Sequence, residues 1–65
     1  MKLFLVKSRN DIGDIVYTTV VAANDWNESL NLVSNTHGYN MDDLDSEIIP
    51  DAVVGPNIFK PTILI

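Results

Sequence analysis

The order of elements along this chain predicts an α+β fold, a small two-layer domain of ββαβ or ββαββ type with its helix packed on one face of a mainly antiparallel sheet. Three observations carry that expectation. Two strand-forming runs, residues 3–6 (LFLV) and 15–23 (IVYTTVVAA), flank a turn-forming segment, Asn10 to Asp14. A capped amphipathic pattern follows between Asp25 and Gly38, and strand-like composition then returns at residues 47–54 and 62–65.

The first run follows Lys2 directly and ends at Lys7 and Ser8, and its continuous apolar character reads as a central strand. Gly13 supplies the residue able to take a positive φ in the turn. The second run is rich in β-branched residues, which places it as the other arm of a hairpin. Asp25 with Glu28 three positions on resembles a capping box, and both acids suit the positive end of a helix dipole. Trp26, Leu30 and Val33 then recur at helical spacing as a core stripe, with Ser29 and Leu32 widening it. Gly38 is the expected left-handed stop.

Residues 39–46 read as a loop with one helical turn after Asn40, since acids separate Met41 and Leu44. Residues 47–54 (EIIPDAVV) read as an edge strand or bulge, because Pro50 cannot donate a ladder hydrogen bond. Residues 62–65 (TILI) are too apolar to dangle and are expected to pair in the sheet. In the hairpin's second arm, Val16, Thr18, Val20 and Ala22 are assigned to the helix side, which leaves Tyr17, Thr19 and Val21 as a candidate binding face on the uncovered side.

Charge is unevenly placed. All nine carboxylates lie between Asn10 and Phe59, while the four cations, Lys2, Lys7, Arg9 and Lys60, lie outside that stretch. At 65 residues the chain forms one domain (residues 1–65), and a chain this short buries only about 60% of its unfolded surface. Hydrophobic residues at 46%, with a mean hydropathy of +0.12, indicate folding despite a net charge of -5. There is no cysteine, so no disulfide or thiolate metal site supplements the core, and a homodimer is a reasonable additional source of stability. The opening apolar run is too short for a secretion signal, and none approaches the ~20 residues that span a bilayer, so the expected location is cytoplasmic. A sequence pI near 4.3 disfavours direct binding to nucleic acid or to an anionic membrane.

The opening MKLFLVKS, the acidic turn, the strand YTTVVAA and the helix start NDWNES resemble a group of small uncharacterised tailed-phage proteins that begin M-K-(I/L)-(Y/F)-L-(V/I). The resemblance covers roughly residues 1–30, and Trp26 and Leu30 depart from it where the group tends to be charged. It implies a phage-encoded accessory protein, located in the host cytoplasm, and carries over no catalytic residue.

Asp42, Asp43, Asp45, Glu47 and Asp51 form the densest acidic cluster and a candidate binding patch for a basic surface. Asp43, Asp45 and Glu47 alternate as calcium-loop ligands do, yet the loop glycine is missing and Val54 stands at the twelfth position, so an EF-hand is rejected. His37, at the helix end, is expected to complement the dipole rather than to act as a base. The chain has no nucleophile elbow, phosphate-cradling glycine loop or metal-spaced histidine pair, so neither an enzyme nor a cofactor is expected.

The leading expectation is therefore a small acidic phage-type protein acting by protein–protein binding, as an inhibitor of a host or defence-system protein (antirestriction or anti-CRISPR type). A structural homo-oligomeric subunit that adds strands edge to edge is the alternative, and a divalent-metal module is a weaker one.

Overall fold

The computed structural model describes all 65 residues. The chain runs through β1 (Lys2–Arg9), β2 (Ile15–Ala23), α1 (Trp26–His37), a 3-10 turn (Met41–Asp43), β3 (Leu44–Ile48) and β4 (Thr62–Ile63), which makes it ββαββ. The strands form one antiparallel sheet in the order β3-β1-β2-β4. β1 is therefore central, as its apolar run predicts. Since β2 and β3 each run antiparallel to β1, they are parallel to one another, and α1 supplies the crossover connection that such a pair requires.

Asn10 organises the hairpin turn: its side-chain oxygen accepts from the N–H groups of Ile12 and Asp14, and Gly13 takes φ +89°. Next to the turn, Ser8 faces Tyr17 while Arg9 faces Ile15, so Val16 is the extra residue of a β-bulge. The helix start is also locally determined. Asp25 accepts from the Glu28 N–H, and Glu28 reaches back to the N–H of Asn24, one residue upstream of the usual capping-box partner. At the other end Gly38 takes φ 76° and its N–H bonds to the Ser34 carbonyl.

The core is a single cluster of Phe4, Val6, Val21, Ala23, Leu30, Val33 and Leu44 between sheet and helix. Its composition inverts the face assignment of β2. Thr19 and Val21 are fully buried and Tyr17 packs against the core, whereas Val16 is 57% exposed and Thr18 is exposed. Partners across an antiparallel ladder share a face, and the register pairs Val21 with Phe4, Thr19 with Val6 and Tyr17 with Ser8, all on the helix side. Tyr17, Thr19 and Val21 are consequently not the uncovered face.

Two further expectations are corrected. The third strand is Leu44–Ile48, three residues earlier than expected; it is an edge strand, but residues 49–61 lie outside any strand. Ladder pairing ends just before Pro50, and the following Asp51 adopts a left-handed φ of 60°, which turns the chain away. Trp26 is half exposed rather than buried, because it lies at the first helical position beside the β3 edge.

The C-terminal segment does rejoin the sheet. Ile49 donates to the Leu3 carbonyl, Thr62 pairs with Ala22, Leu64 donates to the Val20 carbonyl, and the Thr19 hydroxyl donates to the Ile65 carbonyl. Because Leu3 and Ala22 are cross-strand neighbours, the 49–61 loop leaves and returns at one end of the sheet, opposite the hairpin turn. The molecule measures 38 × 22 × 18 Å.

Candidate protein-interaction surfaces

The sheet face away from α1 is built from Leu3, Leu5 and Lys7 of β1, Thr18, Val20 and Ala22 of β2, and Asp45 and Glu47 of β3. Strand alternation requires this grouping once Phe4, Val6 and Ser8 point at the helix. The aliphatic side chains Leu3, Leu5 and Val20 form its half-buried middle. Charges line one margin.

Two ion pairs order that margin. Arg9 Nε lies 2.9 Å from Asp45 Oδ2, and Lys7 Nζ lies 3.6 Å from Glu47 Oε1. Arg9 also donates through Nη1 to the Gly13 carbonyl at 2.9 Å, which ties the margin to the hairpin turn. Between them a shallow cleft of about 210 Å³ is lined chiefly by Leu5, Lys7, Arg9, Asp45 and Glu47.

The expected acidic patch is thus divided by the fold. Asp45 and Glu47 point onto the open face and are offset by cations from β1. Asp42 and Asp43 belong to the 3-10 turn capped by Asn40, beside the Ser8 end of the sheet. Asp51 lies in the loop at the far end. Lys7 belongs to the charge margin through its pairing with Glu47. Sequence reasoning missed Leu3, Leu5, Lys7 and Arg9 as members of the open face, although their common odd-numbered parity in a strand was the available signal.

The outer edge of β3 is partly closed. The Ile49 to Leu3 hydrogen bond implies that Glu47 and Asp45 direct their backbone groups at β1, so those of Leu44, Ser46 and Ile48 point outward. The Trp26 indole donates to the Ser46 carbonyl at 2.8 Å, and the Leu44 N–H bonds to the Met41 carbonyl. Beneath the indole, Ser29 Oγ donates to the Trp26 carbonyl and lies 2.7 Å from Ser46 Oγ. No buried side-chain polar atom is left without a partner.

At the opposite end of α1, Tyr17 stacks on Tyr39 at 5.2 Å and meets His37 edge-on, with its hydroxyl 3.0 Å from His37 Nε2. The imidazole is engaged with a phenol rather than with a serine or threonine hydroxyl. No three histidine, aspartate or glutamate side chains converge as metal ligands would. No helix is long and apolar enough to cross a membrane. No family model, curated protein or solved structure matches this chain.

Proposed function

We propose that this chain is a non-enzymatic, phage-type accessory protein that acts in the host cytoplasm by binding a host or defence-system protein, as an antirestriction or anti-CRISPR type of inhibitor does. The observation that carries the binding role is the uncovered sheet face. It offers a partner the aliphatic side chains Leu3, Leu5 and Val20, an ordered margin of paired charges, and the acids Asp42 and Asp43 beyond it. A surface of apolar centre and charged rim has the composition of a protein interface, and the unpaired acids favour a partner with basic residues at its rim. The phage and defence context rests on the likeness of residues 1–30 to small phage proteins. Binding through the face agrees with the occupied outward groups of β3, which oppose strand addition at that edge.

The test is affinity capture from bacterial lysate with wild-type protein and with the charge reversal Asp42→Lys/Asp43→Lys. A specific partner retained by the wild type and lost, or released at lower salt, by the reversal supports the proposal. Capture of no partner, or of one indifferent to the reversal, counts against it.

A further inference from the structure

The loop end of the molecule presents a second surface of different chemistry. From Ala52 to Phe59 there is no charged residue. Val53 and Phe59 are each 87% exposed, the highest values among the large apolar side chains. With Met1, Val54, Pro56 and Ile58 they line an open apolar depression of about 490 Å³. Isolated exposed apolar residues are ordinary, and Ile12 at the hairpin tip is one, enclosed by Asp11 and Asp14. A contiguous apolar patch is not, and such patches mark association surfaces.

We infer that this patch joins two copies of the chain in an isologous dimer. The projecting Phe59 and the depression it borders lie on one surface, so a two-fold axis through the patch sets each copy's Phe59 against the other's apolar lining. Charge placement leaves this end of the molecule, and not the hairpin end, free to meet a second copy. Once the Lys7–Glu47 and Arg9–Asp45 pairs cancel, Asp11, Asp14, Asp42 and Asp43 remain at the hairpin end. At the loop end Lys2 and Lys60 offset two of Asp25, Glu28 and Asp51, so four of the five net negative charges lie away from the patch. In a molecule 38 Å long, docking by the loop ends holds the two acidic poles several Debye lengths apart. Docking by any hairpin-end surface would bring them together. The open sheet face stays free in this dimer, which would therefore present it twice.

Sedimentation equilibrium on the full chain, from micromolar to millimolar concentration, tests the inference with Phe59→Asp, Val53→Asp and the open-face control Thr18→Asp. Circular dichroism establishes that each variant is folded, and the two loop variants are independent of one another. A monomer–dimer equilibrium is expected for the wild type and for Thr18→Asp, undiminished by added salt, with the dissociation constant raised at least about tenfold by either loop variant. A wild type that is monomeric throughout, a dimer unaffected by both loop variants, or a dimer weakened only by Thr18→Asp would overturn it.

Discussion

The indole N–H of Trp26 donates to the backbone carbonyl of Ser46 across 2.8 Å, so the first residue of the helix closes the outer edge of a strand twenty positions later in the chain. Trp26→Phe keeps an aromatic ring over that edge and removes the hydrogen bond. It is expected to lower stability by about 0.5–1.5 kcal/mol in urea titration with no change in oligomeric state. Trp26→Ala uncovers the edge as well, and increased light scattering at high concentration is the expected consequence.

The orientation of β2 gives an asymmetric pair of substitutions. Val21→Asp places an unpaired carboxylate in the core and is expected to unfold a domain whose whole stability is only about 3–5 kcal/mol. Thr18→Asp, on the opposite face, should alter stability by no more than about 0.5 kcal/mol. Near-ultraviolet circular dichroism and urea titration distinguish the two. Equal tolerance would return Val21 to the exposed side.

That orientation was not legible in the sequence, and the reason is physical. Both parities of residues 15–23 are apolar or β-branched, so alternation gives no preference, and only pairing with the buried Phe4 and Val6 decides which side faces the helix. The helix was legible to the residue at both ends because its signals are local: Asp25 accepts from the backbone N–H of Glu28, and Gly38 takes the left-handed conformation. β3 was concealed by composition. Leu44 and Ser46 alternate inward against Asp45 and Glu47, and the acids made residues 44–46 look like a loop, with only 47 and 48 read as strand. Pro50 was read as lying within an edge strand or bulge of residues 47–54. Its effect is to end the strand, with Asp51 turning the chain.

Helix capping gives a third expectation. Asp25→Ala should lose about 1 kcal/mol, measured by thermal or urea unfolding, while Asp25→Asn or Asp25→Ser should retain most of the stability. A loss of similar size in all three would mean that the carboxylate acts through something other than the cap.

The ion pairs of the open face are partly exposed, and each should contribute only about 0.2–1 kcal/mol. A double-mutant cycle on Arg9 and Asp45 should give the larger coupling, since their contact is shorter and Arg9 is also held by the Gly13 carbonyl. The coupling should shrink in molar salt. If removing both pairs leaves stability unchanged but abolishes partner capture, the margin serves recognition alone.

The role of the uncovered sheet face is tested most directly by site-specific photo-crosslinking in bacterial lysate. A benzophenone side chain is placed at Thr18 on that face or at Asn31 on the exposed side of the helix. A discrete adduct with a cellular protein from Thr18, absent from Asn31 and suppressed by Asp42→Lys/Asp43→Lys, is the predicted result. An adduct from Asn31 with none from Thr18 would contradict it.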